Sequence, residues 1–198
     1  MKTIILVRHA ESKNNVDKAE ARKACFNLTR CIQLPSYPQW CSLAALCCVP
    51  MNTDLSPLGL KMIVAQAERM RSSQLLDTLG IELIVHSHLI RAKRTCFTLF
   101  DGSTIRIPTI QHEDFYEKGI METCRCRKLN HRVEKVTAWL NGRPEKVICL
   151  VGHSAFFREF SGQEMGMRNC EISQVTLLPD GSVADFRVLL DGGDKCFA

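Results

Sequence analysis

Three runs of apolar residues stand out along the chain because almost no polar position interrupts them. A strand with one face in water alternates apolar and polar residues, whereas a strand covered on both faces, as in a parallel sheet, reads as a nearly continuous apolar run. The pattern therefore predicts three buried strands of a parallel sheet. They correspond to Ile4–Val7, Ile81–Val85 and Val147–Val151.

Three further stretches carry apolar residues three or four positions apart, which is the spacing of one face of an α-helix. Ser56 and Pro57 precede the first stretch and are typical of a helix N-cap and first turn. Asn141 and Gly142 follow the last, as expected where a helix stops. The predicted apolar stripes are Leu60, Ile63, Ala67 and Met70; Ala92, Cys96 and Leu99; and Leu129, Val133, Val136 and Leu140.

Strands that alternate with helices predict an α/β protein built as a three-layer α/β/α sandwich. Near the C-terminus, Ser173–Leu178 and Val183–Leu190 flank the turn-forming residues Pro179–Gly181 and predict a β-hairpin. The hairpin adds antiparallel strands, so the predicted central sheet is mixed and mostly parallel. The 198 residues suit a single domain. Its segment at about 16–54 is interpreted either as a cap inserted over the site or as a helix and loop that close one edge.

Composition and charge narrow the class of protein only a little. The formal net charge of +5 favours an anionic ligand, but the basic residues are too few and too scattered for nucleic acid. The longest mostly apolar stretch, Leu43–Val49, is far shorter than the roughly 20 residues of a membrane span. No secretory signal is recognised at the N-terminus. We therefore expect a cytoplasmic protein that binds neither nucleic acid nor membrane.

The eleven cysteines include no Cys-x-x-Cys pair. Zinc sites usually show ligand pairs at such short spacing, so the cysteines do not predict a metal site. We interpret them instead as reduced thiols that act as small core residues.

Each of the three apolar runs leads directly into histidine. In open α/β sheets, ligands bind in the crevice beyond the carboxyl ends of the strands. Three neighbouring parallel strands would therefore bring these groups into one crevice. The residues are Arg8 and His9 after the first run, His86 and His88 after the second, and His153 after the third.

Four sequence words surround these histidines and the first helix start. They are Leu6-Val7-Arg8-His9-Ala10-Glu11-Ser12-Lys13-Asn14-Asn15, Leu55-Ser56-Pro57-Leu58-Gly59, Ser87-His88-Leu89-Ile90-Arg91-Ala92-Lys93-Arg94-Thr95 and Val151-Gly152-His153-Ser154. In this order they resemble the motifs of the histidine phosphatase superfamily, also called the phosphoglycerate mutase-like family. Two positions depart from the family pattern: Ala10 stands where Gly is common, and His88 where Pro is frequent.

The resemblance implies a site for phosphoryl transfer, in which His9 is the nucleophile and forms a phosphohistidine. A transferred phosphoryl group carries its charge on three equatorial oxygens, so positioning and electrostatic stabilisation do most of the work. Arg91 is the implied second arginine; Arg94 is an alternative, but the spacing Arg-Ala-x-x-Thr favours Arg91. The other residues implied to bind phosphate are Arg8 and His153, with supporting contacts from Asn15, Ser87 and Ser154.

A leaving alkoxide must be protonated and the attacking water activated, and one carboxyl group can do both in turn. In the family this group lies on a loop between the second and third of these strands. Ile110-x-x-Glu113 is similar to the family word Leu-x-x-Glu, so Glu113 is the predicted acid. Glu117 is the next candidate, and Asp114 is the third. The basic residues from Arg125 to Arg132 are interpreted as a solvated helix face rather than as part of the pocket.

We predict a metal-independent phosphatase that hydrolyses phosphomonoesters and uses no cofactor. Its substrate is expected to be a small phosphorylated molecule or a phosphopeptide, and no particular oligomeric state is predicted. Two alternatives stay open: phosphoryl transfer of the phosphoglycerate mutase type, and a non-catalytic module that binds a phosphorylated ligand. The chain is shorter than typical mutases and lacks their Trp-rich word, and a binding module does not need the nucleophile His9.

Overall fold

The computed structural model of the chain describes residues 1–13, 15–17, 19–20, 52–101, 106–117 and 127–193. Most of the predicted cap at about 16–54 therefore lies outside the described residues. Among the residues that are described, no helix combines the length and the apolar composition that a membrane crossing requires.

A six-stranded sheet forms the centre of the protein, with strand order β3-β2-β4-β1-β5-β6. The neighbours from β3 to β1 pair in parallel, whereas β5 and β6 run antiparallel to their partners. The sheet is thus mixed and mostly parallel, as predicted, and the C-terminal hairpin supplies its antiparallel edge. The strands are β1 Lys2–Arg8, β2 Leu83–Ser87, β3 Thr109–His112, β4 Val147–Gly152, β5 Ile172–Leu177 and β6 Val183–Leu190.

Five helices are described around the sheet. The first begins as predicted, because Ser56 is its N-cap, the Ser56 Oγ accepts a 2.9 Å bond from the Gly59 amide, and Pro57 opens the first turn. The fourth ends at Gly142, also as predicted. The helices are α1 Pro57–Ser72, α2 Leu75–Leu79, α3 Ile90–Phe100, α4 Arg127–Gly142 and α5 Ser154–Ser161.

Both faces of the sheet are covered, which explains the unbroken apolar runs in the sequence. Successive residues of β1 face opposite sides: Leu6 packs among the residues of α4 and α5, and Ile5 among those of α1 and α3. Such burial on both faces is characteristic of parallel strands between two helical layers. The predicted three-layer α/β/α architecture is therefore confirmed.

The structure contradicts one predicted core position, Leu60, and agrees with the prediction for three cysteines. Leu60 was assigned to the buried stripe of α1, but its side chain is 36% exposed. The buried face of α1 is instead completed by Met62, one position off the predicted stripe. Cys96, Cys149 and Cys170 are buried, as expected for core thiols, and burial raises the pKa of Cys96 to about 12.

Candidate active site

The carboxyl ends of β1 and β4 bring two of the predicted histidines together. These parallel strands pair Arg8 with Gly152, and the His9 amide donates a 2.9 Å bond to the Gly152 carbonyl. His9 and His153, the next residue of each strand, therefore emerge side by side. Their ring centroids lie 5.0 Å apart at an interplanar angle of 61°. We call the space beyond these strand ends the crevice.

His9 is held in one tautomer by the backbone carbonyl of the next residue, Ala10. Its side chain is buried, and the ring Nδ1 lies 2.6 Å from the Ala10 carbonyl oxygen. Because a carbonyl oxygen only accepts hydrogen bonds, the proton of the neutral ring lies on Nδ1 and the lone pair on Nε2. The Ala10 peptide is held in turn, because its amide donates a 3.1 Å bond to the Thr95 Oγ1. His9 thus presents an unprotonated Nε2 to the crevice.

Arg91 approaches that lone pair directly. This residue of α3 is only 2% exposed, and its Nε donates to the His9 Nε2 at 3.3 Å. Burial lowers the pKa of Arg91, the charge of Arg8 lowers it further, and Glu117 opposes both. A guanidinium starts from so high a pKa that it keeps its charge. By contrast, Arg94 is about half exposed and forms an ion pair with Asp54, so the structure brings Arg91, and not Arg94, into the crevice.

Arg8 is the second guanidinium of the crevice. Its Nη1 donates to the Met167 carbonyl, while its buried Nε makes no hydrogen bond within the part of the chain that is described. Burial lowers the pKa of Arg8, and the carboxylates of Glu117 and Glu171 counteract that effect. The charges of two guanidiniums, Arg8 and Arg91, therefore act together on the buried His153 beside His9.

His153 is fully buried and lies between the Ser87 hydroxyl and the Glu117 carboxylate. Its Nε2 lies 2.9 Å from the Ser87 Oγ, and its Nδ1 lies 3.7 Å from the Glu117 Oε2, too far for a hydrogen bond. Burial holds the pKa of His153 well below its usual range, and the neighbouring cations and His9 lower it further. His153 is therefore neutral near pH 7, and the nearby carboxylate favours the proton on Nδ1.

The structure brings Glu117, rather than Glu113, to this group of side chains. β3 ends at His112, and Glu113 lies exposed on the turn that follows, where its charge acts on the His112 ring. The chain then turns inward at the fully buried Phe115. Two residues later, the Glu117 side chain is 19% exposed beside His153 and acts on both Arg8 and Arg91.

The three predicted supporting residues have well-defined partners of their own. Ser87 is buried and bonds to His153, as described above. The Asn15 Oδ1 accepts from the amide and the hydroxyl of Ser12, at 3.1 and 2.6 Å. The Ser154 Oγ donates to the Met167 carbonyl at 3.3 Å, the same carbonyl that Arg8 contacts. Among these three, Ser87 is in direct contact with a ring that lines the crevice.

The other two predicted histidines lie to the sides of the crevice. The His86 ring is buried against Phe97 of α3, with centroids 5.7 Å apart. His88 is exposed, and its ring lies 5.6 Å from that of Tyr116.

Comparison with solved structures identifies the architecture, although no family model and no curated protein sequence matches the chain. A mycobacterial glucosyl-3-phosphoglycerate phosphatase, solved with VO3, has a TM-score of 0.58 and 16% identity, and the match covers 98% of this chain and 100% of that one. A putative alpha-ribazole-5'-P phosphatase from Escherichia coli has a TM-score of 0.61 and 14% identity, over 98% and 100%. The protein histidine phosphatase SixA, complexed with tungstate, has a TM-score of 0.56 and 14% identity, over 93% and 94%.

The fold is that of the histidine phosphatases. The resemblance seen in the four sequence words is thereby confirmed for the architecture.

Sequence reasoning missed Glu171, a carboxylate that acts on Arg8 at the edge of the crevice. This buried carboxylate accepts from the Ser173 hydroxyl at 2.9 Å and from the Arg168 amide at 2.8 Å. Its charge raises the pKa of Arg8, whose amide also bonds to the Glu171 carbonyl. No sequence word pointed to Glu171, because the antiparallel pairing of β5 with β1 brings it there.

Three side chains of the crevice offer atoms that could ligate a metal ion. Ligand atoms of His9, His153 and Glu117 lie within 4.8 Å of one another, a group that the sequence spacing did not reveal. Two imidazoles and a carboxylate suit zinc or iron. Arg8 and Arg91 border the same space, however, and two fixed positive charges oppose a cation while favouring an anion. The electrostatics therefore fit a phosphate group better than a divalent metal.

Proposed function

We propose that this chain is a phosphatase that hydrolyses phosphomonoesters through a phosphohistidine on His9. The observation that carries the proposal is the unprotonated Nε2 of His9, which accepts a bond from the buried guanidinium of Arg91. The neutral ring of His153 lies beside His9, and the charges of Arg8 and Arg91 both act on it. A nucleophile surrounded by cationic and neutral donors matches what a tetrahedral anion requires. The neighbouring folds named above include phosphatases solved with VO3 and tungstate, which also favours phosphate chemistry.

In the first step, the His9 Nε2 attacks phosphorus, the P–N bond forms and the bond from phosphorus to the leaving oxygen breaks. Glu117, in its protonated form, gives its proton to that oxygen. The proton stays on the Nδ1 of His9, which donates it to the Ala10 carbonyl, and this hydrogen bond stabilises the positive charge that the ring acquires on phosphorylation. Arg8 and Arg91 balance the charge of the equatorial oxygens throughout.

In the second step, the Glu117 carboxylate takes a proton from water as the water oxygen attacks phosphorus. The P–N bond breaks, its electron pair returns to the Nε2 of His9, and inorganic phosphate leaves. Glu117 is again protonated, so the cycle closes without a metal or cofactor. We assign the acid to Glu117, the alternative candidate from the sequence, because its carboxylate lies beside His153 whereas Glu113 is exposed on the turn.

The first experiment measures hydrolysis of p-nitrophenyl phosphate by the wild type and by His9→Ala. We expect a loss of at least about 10³-fold, because removal of a covalent nucleophile leaves only the binding contributions. His131→Ala is the matched control, since this histidine is exposed on α4, and its rate should equal that of the wild type. Equal rates for the wild type and His9→Ala would contradict the mechanism, and no activity in either would favour the non-catalytic binding module.

A second measurement separates hydrolysis from mutase-type transfer. The wild type is incubated with a phosphorylated sugar or acid, and both inorganic phosphate and isomerised ester are quantified. A phosphatase releases phosphate in proportion to the ester consumed, whereas a mutase returns the phosphoryl group to an acceptor hydroxyl.

A further inference from the structure

The loop that carries Glu117 is held by contacts from outside the loop. Between the end of β3 and Glu117, only one side chain is deeply buried, that of Phe115, which packs against Gly152 at the end of β4. A Cβ atom on Gly152 would lie 2.3 Å from this ring, so the ring occupies the space that the missing side chain leaves. The Phe115 ring also meets Phe156 of α5 edge-on, with centroids 4.7 Å apart.

Arg132 of α4 hydrogen-bonds to the backbone on both sides of Phe115. Its Nη1 donates to the Asp114 carbonyl at 3.0 Å and to the Tyr116 carbonyl at 2.8 Å. Its guanidinium carbon lies 3.7 Å from the centroid of the Tyr116 ring, within the range of a cation–π contact. The residue is only 5% exposed, so the interpretation of its segment as a solvated helix face is wrong for Arg132.

These contacts determine where the Glu117 carboxylate points. The Tyr116 carbonyl belongs to the peptide group that links Tyr116 to Glu117, so a donor bound to that oxygen orients the peptide from which Glu117 begins. The second bond, to Asp114, and the stacked ring prevent this peptide from rotating about the buried Phe115. A buried guanidinium suits this task because its planar shape combines fixed N–H directions with a face that stacks on a ring.

We propose that Arg132 is a positioning residue, which holds the Glu117 loop so that the carboxylate reaches the leaving oxygen and the attacking water. The proposal rests on the proposed function, because it assumes that Glu117 is the acid and base. Arg132 is bound to the loop backbone, and its effect on the reaction therefore passes through Glu117.

The test compares two substrates that depend differently on an acid. The p-nitrophenolate released from p-nitrophenyl phosphate is a stable anion that leaves without a proton. Glycerol 2-phosphate releases an alkoxide, which must be protonated as it leaves. We expect Arg132→Met to lower kcat on glycerol 2-phosphate by about 10-fold to 100-fold, because a displacement of about 1 Å suffices for such a loss. The burst of p-nitrophenol in the first turnover, which reports formation of the phosphohistidine, should slow by less than about threefold, because this leaving group does not need the acid. KM for glycerol 2-phosphate should change little, since Arg8, Arg91 and His153 are unchanged.

Arg132→Lys keeps the charge but not the planar fork, and it covers the case in which Arg132→Met does not fold. We expect it to show the same preferential loss on glycerol 2-phosphate, smaller in size. Arg143→Met is the matched control, because this arginine also lies near an aromatic ring, that of Trp139, and bonds to Glu145. It should not change the ratio of the two rates, even if it lowers the stability of the protein.

A double-mutant cycle with Glu117→Gln decides whether Arg132 acts through the acid. If it does, Arg132→Met should add less than about twofold to the loss on glycerol 2-phosphate already caused by Glu117→Gln. Fully additive losses, or a burst of p-nitrophenol in Arg132→Met that slows as much as the turnover of glycerol 2-phosphate, would overturn the positioning role. If Glu117→Gln alone slows the burst of p-nitrophenol as much as the turnover of glycerol 2-phosphate, the acid assignment in the proposed function fails instead, and the positioning role fails with it.

Discussion

The crevice has two sides that are built in different ways. On one side, His9 and His153 follow directly from paired parallel strands, and a backbone hydrogen bond between His9 and Gly152 sets their spacing. On the other side, Glu117 lies on a loop, five residues beyond the last residue of β3, His112. Its position depends on the ring of Phe115 and on the guanidinium of Arg132.

The difference matters for the chemistry that each side is proposed to perform. Groups that hold the phosphoryl oxygens need a rigid arrangement that stays constant through both steps, and paired strand ends provide it. The acid must meet different oxygens, first the leaving group and then water. A loop held by side chains can be adapted to a leaving group without disturbing the sheet. Substitutions on the two sides should therefore have different kinetic consequences.

Among the substitutions that compare the two sides of the crevice, Glu117→Gln, which leaves the strand ends intact, is expected to have the largest effect. On glycerol 2-phosphate we expect kcat to fall by about 10²-fold to 10⁴-fold, the usual contribution of general acid–base catalysis. On p-nitrophenyl phosphate, formation of the phosphohistidine should be much less affected, as measured by the burst of p-nitrophenol in the first turnover. Glu113→Gln is the matched control on the exposed turn and should stay within about twofold of the wild type. A preferential loss in Glu113→Gln instead would return the acid to the residue that the sequence word favours.

Arg91→Lys changes the guanidinium that bonds to His9 and leaves the Glu117 loop intact, so it should affect both substrates equally. Lysine keeps the charge but cannot present two parallel N–H groups to phosphate oxygens, so we expect kcat/KM to fall by about 10²-fold on each. Arg94→Lys is the matched control from the same sequence word, because Arg94 lies exposed and paired with Asp54. A loss restricted to glycerol 2-phosphate would show that the two sides do not divide the work as proposed.

Gly152→Ala tests the contact at which the two sides meet. The added methyl group would overlap the Phe115 ring, so we expect a loss of about 1–3 kcal/mol in the free energy of unfolding, measured by urea denaturation. Gly142→Ala is the control, since an added Cβ there meets no atom within 4 Å, and its free energy of unfolding should not fall, because alanine favours a helix more than glycine. Equal stability of Gly152→Ala and the wild type would mean that the ring moves aside at little cost.

The regular elements of the fold were predictable where burial imposes a period. The apolar runs that became β1, β2 and β4 lie between two helical layers, and the stripes of α1, α3 and α4 each face one side of the sheet. β3 was not predicted, because this edge strand alternates between exposed and half-buried residues and carries little apolar signal. The short helix α2 has no buried residue and left no stripe to recognise.

The sequence by itself determined the groups at the strand ends. His9 and His153 could be predicted to meet because parallel strands in one sheet end at the same edge. Arg91 was predicted from its spacing to Thr95 in the family motif, and the structure adds that the Thr95 hydroxyl contacts the Ala10 amide. In these elements the direction of a side chain follows from the position of its residue along the chain.

Only the tertiary structure decided which carboxylate enters the crevice. A loop has no period, so the spacing of Glu113 and Glu117 says nothing about which of them points inward. Glu117 points inward because the Phe115 ring packs against Gly152 and because Arg132 hydrogen-bonds to the loop backbone. Gly152 and Arg132 belong to β4 and α4, which only the tertiary structure brings to the loop. For the same reason, the sequence pattern predicted Arg132 of α4 to lie on a solvated helix face. Its partners are backbone carbonyls, which no sequence pattern reveals.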